Sequence, residues 1–274
     1  MDILWWEAAI LGVVQGITEF LPVSSSGHLA LFQHFFGLSG IPLTFDVMTH
    51  AGTFIAIIAY FWKDIRQASL RLWFHIALAN IPVFIMGFAV RPYLDFMKDS
   101  RVGLATAFLI TAFLLIVADS LLWQSKQKGS TWFHAIATKV KNLIHGQKLV
   151  EPQLLTLFVV GIYQAFAVLP GVSRSGSTLT GGAVAGYDRE TAFKYAFLIG
   201  IPAVGGAVFL DFLSVTKDNA WGTIDLPATL LATAIAMAVG LVSLRLLRFV
   251  VHNARLKYFA FYCVFVSIVS LLFV

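Results

Sequence analysis

The sequence predicts an all-α polytopic membrane protein built as an inverted-topology repeat. The first observation is composition: 59% of the 274 residues are apolar and 12% are charged, with a mean hydropathy of +0.84. A soluble domain carries about 25% charged residues. The second observation is a series of long apolar stretches, and the third is a pair of related, proline-broken segments. Together they exclude a soluble enzyme and a disordered chain, and the single cysteine excludes a disulfide scaffold.

Six apolar stretches are long enough to cross a bilayer, which takes about 20 mostly apolar residues. They are residues 43–62, 73–91, 101–123, 193–212, 226–248 and 257–274. Four shorter stretches form two pairs, 4–22 with 25–37 and 153–170 with 173–186, each broken by a proline beside a serine-rich turn. Proline removes a backbone N–H, and polar turns avoid lipid. Each pair therefore predicts a re-entrant helical hairpin whose tip is buried in protein.

The two hairpin tips are related in sequence. Adding 149 to the numbers of positions 12–27 aligns six identical residues, ending in a shared S-x-S-G. An internal repeat explains this match better than chance similarity between apolar segments. The chain is then a single integral membrane domain with repeat halves 1–123 and 151–274.

The distribution of lysine and arginine predicts the orientation. With six crossings and two hairpins, one side of the membrane receives 14 of these residues and the other side 4, while Arg174 lies in a tip. The positive-inside rule puts the richer side in the cytoplasm, so the two halves run in opposite directions. Such folds place their site where the broken elements meet near mid-membrane.

A basic loop at 124–150 joins the two halves. Apolar residues recur in it at helical spacing, which favours a cytoplasmic amphipathic helix on the membrane surface, although a solvated linker stays open. The net charge of +5 indicates contact with membrane lipids rather than with nucleic acid. The N-terminus has no basic stretch before its apolar run, so we expect no cleaved signal peptide.

The polar residues of the tips predict an anion site. The first tip carries Gln15, Glu19, Ser24, Ser25, Ser26 and His28, and the second carries Ser173, Arg174, Ser175, Ser177 and Thr178. A helix restarts after each break, so the N–H groups at 24–27 and 173–176 lack helical partners and attract negative charge. Arg174 adds a planar donor fork that suits phosphate.

The tips also combine a nucleophile with bases. A serine hydroxyl attacks only when a neighbouring base takes its proton. Ser25 and His28 share a helix face and Glu19 lies on the facing arm, so either can be that base. Gln15 and Glu19 also share a face and offer oxygen ligands to Mg²⁺ or Ca²⁺. Structural roles stay open: Ser24 is placed to cap the second helix, His28 to be a core histidine, and Glu19 to form an ion pair.

These tips resemble the undecaprenyl-diphosphate phosphatases, the bacitracin-resistance family of bacterial membrane proteins. That family carries the motifs (E/Q)-x-x-x-E, P-V-S-S-[ST]-G-H and P-G-x-S-R-S-x-x-T. They correspond here to residues 15–19, 22–28 and 170–178, and length and hydropathy match along the whole chain. Gln15 occupies a position where the family also has glutamate, which leaves one fewer carboxylate for a cation.

The resemblance implies hydrolysis of undecaprenyl diphosphate to undecaprenyl phosphate in the bacterial inner membrane, with the site open to the periplasm. This recycles the lipid carrier of the cell wall and gives bacitracin resistance. The resemblance implies Ser25 as nucleophile, with Glu19 and His28 as base and acid. It places Arg174 on the diphosphate and Gln15 with Glu19 near a divalent cation, Mg²⁺ or Ca²⁺. The remaining substrate-binding candidates are Ser24, Ser26, Gly27, Ser173, Ser175, Gly176 and Thr178.

Two other classes of lipid-handling protein share parts of this pattern. Inverted repeats with broken helices are also typical of transporters, so a flippase of the polyprenyl phosphate is the alternative function. Acid-phosphatase-like lipid phosphatases share the S-G-H tip but need a histidine shortly after S-R, and none follows Ser173-Arg174 within reach. The sequence leaves monomer and homodimer open.

Overall fold

The computed structural model describes residues 3–38, 43–93, 100–124, 153–218, 221, 225–253 and 255–273. Within these ranges the chain forms helices and turns and contains no strand. The predicted amphipathic helix of the loop at 124–150 lies outside the described residues from position 125 onward.

The α-helices are numbered here in chain order. They are α1 Trp5–Thr18, α2 Ser25–Phe35, α3 Leu43–Tyr60, α4 Trp62–Gln67, α5 Leu70–Ala79, α6 Ile81–Val90, α7 Arg101–Gln124, α8 Leu154–Phe166, α9 Arg174–Val184, α10 Arg189–Lys217, α11 Leu226–Asn253 and α12 Lys257–Phe273.

Five helical segments of the described chain are long and apolar enough to cross a membrane. They are Leu43–Tyr60, Leu70–Val90, Arg101–Leu122, Arg189–Lys217 and Leu226–Asn253. The sixth predicted crossing, 257–274, corresponds to α12, an apolar helix of 17 residues. The protein is therefore a multi-pass membrane protein, as the composition predicts.

The predicted crossing at 73–91 contains a break between α5 and α6. The side-chain amide of Asn80 donates to the carbonyl oxygen of Ile76 at 2.8 Å and to that of Ile199 at 3.1 Å. Pro82 follows in the first turn of α6, where the missing N–H costs little. The polar side chain thus satisfies carbonyl groups inside the protein where the sequence alone predicts one continuous helix.

The outer surface carries large apolar side chains around the molecule. Phe88, Phe113 and Phe261 are 66%, 65% and 62% exposed, and they come from three different helices. A water-soluble protein rarely exposes so much contiguous apolar surface, whereas lipid tails solvate it. The exposure pattern therefore agrees with the candidate membrane spans.

The main buried cluster lies against the chain segment between α1 and α2. Phe20, which follows α1, packs on Phe197 of α10 with ring centroids 6.1 Å apart. Phe61 stacks on Phe197 at 5.8 Å, and Phe193 adds a third contact at 5.1 Å. Because these rings fill the space beneath the first tip, they fix its position relative to α10.

Matching glycines bring helices together in the two halves. A Cβ at Gly12 would lie 2.6 Å from the carbonyl oxygen of Ala232, so α1 packs closely on α11. A Cβ at Gly161 would lie 1.8 Å from that of Ala79, so α8 packs in the same way on α5. Residues that the repeat aligns therefore make similar close approaches between helices.

Two arginines connect the helix ends on one side of the bundle. Arg189, at the start of α10, donates to the carbonyl oxygens of Leu122 at 3.2 Å and Val251 at 2.9 Å. Arg255 pairs with the buried carboxylate of Asp119, with 2.6 Å between Nη2 and Oδ2. These contacts satisfy carbonyl groups at the C-terminal ends of α7 and α11 and hold α10 in place.

Candidate active site

A cavity of about 480 Å³ lies between the two serine-rich tips. Both tips supply polar lining, while α6 and α10 supply apolar walls. The predicted site residues that line it are Glu19, Ser24, Ser25, Ser26, Ser173 and Arg174. The structure therefore brings together residues that lie about 150 positions apart in the sequence.

The first tip is a tight turn that ends in an unusual cap. Ser24 is the N-cap residue of α2 and has a φ of 72°, in the left-handed region that only a few per cent of non-glycine residues adopt. Its hydroxyl accepts from the N–H of Gly27 at 3.4 Å. Its carbonyl accepts from Nδ1 of His28 at 2.7 Å. Both bonds hold the backbone that presents Ser25 to the cavity.

The second tip has an ordinary cap and is joined directly to the first. Ser173 caps α9 by accepting from the N–H of Gly176 at 3.1 Å, while its own N–H donates to Thr111 at 3.0 Å. Gly171 takes a φ of 88°, where a side chain would be strained. Its N–H donates to the hydroxyl of Ser26 at 3.2 Å. The two tips are therefore hydrogen-bonded to each other.

Glu19 is the centre of the polar network. Ser25 Oγ donates to Glu19 Oε2 at 2.6 Å, and Gln15 Nε2 donates to the same oxygen at 3.1 Å. Arg174 Nη2 forms an ion pair with the other oxygen, Oε1. His50 Nε2 lies 3.8 Å from Oε2. The carboxylate of Glu19 is buried and charge-compensated, and it accepts the hydrogen of the Ser25 hydroxyl.

His28 faces away from this network. Its Nδ1 bonds the carbonyl of Ser24, and its Nε2 lies 2.8 Å from the hydroxyl of Tyr262 on α12, on which the imidazole also stacks. Since a carbonyl only accepts, Nδ1 carries the hydrogen and a neutral Nε2 accepts from Tyr262. Both ring nitrogens are thus engaged by groups other than Ser25.

Four other predicted binding residues lie behind the cavity wall. Gly27 and Gly176 give their N–H groups to the two caps. Ser175 donates to a backbone carbonyl of the first tip at 3.3 Å, and Thr178 to a carbonyl of its own helix at 2.9 Å. In the first turn of α2 and of α9, the cap residue bonds one N–H group, that of Gly27 or Gly176. The N–H groups that precede these glycines in the same turns have no partner within the helix.

The cavity also contains polar residues that the sequence analysis did not assign to the site. They are Thr18, Gln33, Asp46, His50, Gln164 and Asp211. His50 lies in the middle of α3, within a predicted crossing, and its imidazole reaches Glu19. An ionisable residue inside a predicted span is by itself a sign of function, and that signal was present in the sequence.

Where the sequence predicts a cation, Gln15 Nε2 contacts the carboxylate of Glu19, and Gln15 Oε1 is buried and has no hydrogen-bond partner. Among the described residues, no group of three His, Cys, Asp or Glu side chains is placed to hold a metal ion. A cation at Gln15 and Glu19 fits these two donors if phosphate and water oxygens complete its shell, which is usual for Mg²⁺.

Comparison with known proteins gives a consistent result. Residues 8–269 match the family described as bacitracin resistance protein BacA. A protein of Thermomicrobium roseum named undecaprenyl-diphosphatase is 36% identical over 231 residues, which cover 78% of each chain. Undecaprenyl-diphosphatases of Desulforapulum autotrophicum and Pseudarthrobacter chlorophenolicus are each 32% identical; the former covers 97% of both chains, the latter 96% of this chain and 95% of its own.

Proposed function

Because the chain belongs to the bacitracin resistance protein BacA family, we propose that it hydrolyses undecaprenyl diphosphate to undecaprenyl phosphate and inorganic phosphate. The observation that carries this proposal is the Ser25 hydroxyl, which donates to buried Glu19 at 2.6 Å beside the guanidinium of Arg174. A nucleophile, a base and a side chain suited to bind phosphate thus meet in one cavity. The reaction recycles the lipid carrier of cell-wall synthesis and confers bacitracin resistance.

The geometry supports an attack by Ser25 on the terminal phosphorus. Ser25 Oγ forms the new P–O bond, the bridging P–O bond breaks, and its electron pair leaves with undecaprenyl phosphate. Glu19 Oε2 receives the proton because it already accepts the hydroxyl hydrogen. Arg174 and the helix N-termini offset the charge that builds on the phosphoryl oxygens. Water then attacks the phosphoserine and regenerates Ser25.

The walls of the cavity support an amphiphilic substrate. Its polar lining comes from the tips and from a few side chains of α1, α2, α3, α8 and α10, while α6 contributes Val83, Phe84 and Phe88. On the facing helix α10, Val204 and Val208 complete an apolar passage. Phe84 and Phe88 are also partly exposed on the outer surface. The diphosphate would lie at the tips and the isoprenoid tail would leave between α6 and α10 toward lipid.

Helix lengths support re-entrant hairpins in a six-span inverted repeat. At a rise of about 1.5 Å per residue, the 14 residues of α1 and the 13 of α8 reach only about 20 Å. The hydrocarbon core is about 30 Å thick, so neither helix crosses it. With the 14-to-4 distribution of basic residues, the proposal places the protein in the bacterial inner membrane with the site open to the periplasm.

The proposal includes a divalent cation, Mg²⁺ or Ca²⁺, at Gln15 and Glu19. The unpartnered Oε1 of Gln15 supports it. Such an ion would supply positive charge to the diphosphate oxygens. Binding of undecaprenyl phosphate can be followed by tryptophan fluorescence with and without EDTA. This measures the contribution of the ion to binding, separately from turnover. Gln15→Ala should reduce the difference that EDTA makes.

Phosphate release from undecaprenyl diphosphate by detergent-purified protein tests the function. Ser25→Ala should abolish release while lipid binding persists, because Arg174 remains. Ser120→Ala is the matched control, since Ser120 lies exposed on α7 and bonds only a carbonyl of its own helix. Ser24→Ala should mainly cost stability, about 0.5–2 kcal/mol for a lost cap.

The transporter alternative predicts a different result in the same preparation. Wild-type protein that releases no phosphate but moves the lipid across vesicle membranes would be a flippase. Release by Ser25→Ala at the wild-type rate would instead keep the phosphatase and remove the serine nucleophile, leaving water activated by Glu19 as the mechanism.

A further inference from the structure

His50 is the only histidine lining the described part of the cavity. It lies near the middle of α3, and its side chain is 31% exposed, whereas that of Glu19 is 5% exposed. Its Nε2 is 3.8 Å from Glu19 Oε2, the oxygen that accepts the Ser25 hydroxyl. His50 thus lies between the buried carboxylate and the open part of the cavity.

The hydrogen bonding of the ring fixes which nitrogen is available. Nδ1 of His50 lies 2.8 Å from the backbone carbonyl of Asp46, one turn earlier in α3. A carbonyl oxygen cannot donate, so Nδ1 carries the hydrogen. In the neutral imidazole, Nε2 then has a lone pair that faces Glu19. This is the opposite of His28, whose Nε2 accepts from Tyr262.

Glu19 is poorly suited to keep a proton. Its Oε1 is paired with Arg174, and its Oε2 also accepts from Gln15. A carboxylate that receives an arginine and two further hydrogen bonds is stabilised in its charged form. A proton that arrives from Ser25 therefore needs a second acceptor close to Oε2, and His50 is placed there.

We infer that His50 takes the proton that Ser25 gives to Glu19 and passes it to water in the cavity. In the first step the Ser25 Oγ–P bond forms, the bridging P–O bond breaks, and the proton moves through Glu19 Oε2 to His50 Nε2. In the second step a water oxygen bonds to phosphorus, the Ser25 Oγ–P bond breaks, and Ser25 regains one hydrogen from the water as inorganic phosphate leaves. The net reaction at neutral pH releases one proton, which leaves from His50. This inference rests on the proposed phosphatase activity.

The charged groups around His50 come from four elements. Glu19 and Arg174 face it from the two tips, and Asp46 shares its helix and accepts from Gln33 at 3.2 Å. Asp211 of α10 lines the same cavity. His28 of α2 is engaged by Tyr262 instead. In the described part of the cavity, His50 is thus the imidazole placed next to Glu19.

The test compares His50→Gln with the same substitution at an exposed histidine of α2, His34→Gln. Loss of a general acid–base group typically costs about 10²–10⁴ in rate. His50→Gln should lower kcat to that extent and leave KM near the wild-type value, while His34→Gln should match the wild type.

Chemical rescue separates proton transfer from a structural role. His50→Ala leaves space at the cavity wall, and added imidazole should restore part of its kcat. A wild-type kcat in His50→Gln would overturn the inference and leave the phosphatase intact. Equal loss in His50→Gln and His50→Ala without any imidazole rescue would also overturn it. Wild-type protein that releases no phosphate would overturn the proposed function, and the inference with it.

Discussion

Gly161 is the position where one added methyl group would most directly separate two helices. A Cβ there would lie 1.8 Å from the carbonyl oxygen of Ala79, and ordinary contacts start at 3.4 Å. Because both partners are backbone in a close-packed interior, α8 and α5 would have to separate by about 1.6 Å. One turn further along α8, Gln164 donates to Asn80 at 2.9 Å. That hydrogen bond would not survive such a separation.

The cost of Gly161→Ala follows from these contacts. Overpacking costs about 1–3 kcal/mol, and an unmade buried hydrogen bond costs about 1–3 kcal/mol. Alanine recovers about 1 kcal/mol of helix propensity. The variant should be less stable by roughly 1–5 kcal/mol, which lowers the melting temperature by roughly 2–20 °C for a chain of this size.

Thermal unfolding in detergent, followed by intrinsic fluorescence, measures this effect. Gly87→Ala is the matched control: Gly87 also lies in a helix, and nothing lies within 4 Å of the position that an added methyl group would take there. It should melt at or slightly above the wild-type temperature. Gly12→Ala, whose Cβ would lie 2.6 Å from a carbonyl oxygen, should show a smaller loss than Gly161→Ala. Equal melting of Gly161→Ala and Gly87→Ala would refute the close packing of α8 on α5.

Two further predictions concern charge. Arg174→Lys keeps the pairing with Glu19 but loses the planar fork, so phosphate release should fall about 10²–10³-fold in a folded protein. Arg245→Lys, at an exposed site, is the control. Near-normal turnover by Arg174→Lys would make Arg174 a structural counter-charge. In a Cys263→Ala background, Lys128→Cys should resist an impermeant thiol reagent from outside whereas Lys217→Cys should react, and labelling of position 128 would contradict the orientation.

The meeting of the two tips could be predicted from the sequence because the information is local. Each tip combines a proline break, a cap residue and a serine run, and these dictate a helix restart. The inverted repeat that the sequence predicts would place the two restarts opposite each other. The pairing of Glu19 with Arg174 follows from burying two opposite charges in one membrane protein.

The directions of the side chains could not be predicted in this way. The spacing of Ser25 and His28 suggests a shared helix face, but α2 begins only at Ser25 and the imidazole is drawn to Tyr262, 234 positions away. His50 escaped prediction because the stretch that contains it and Asp46 is apolar enough overall to be read only as a membrane crossing. The break at Asn80 depends on a carbonyl of Ile199, a contact that no local pattern encodes.

The hydrogen bond between Gly171 and Ser26 joins two chain segments that carry different side chains at matching positions. The sequence match of residues 12–27 with 161–176 pairs Ser25 with Arg174 and Glu19 with Val168. A dimer of identical half-length chains, related by a twofold axis, would carry the same residue at both members of each pair. At the pair of positions that Ser25 and Arg174 occupy, such a dimer could offer two hydroxyls or two guanidiniums, but not one of each. In one continuous chain the matching positions are encoded separately, so under the proposed function one tip can carry the nucleophile while the other holds the anion.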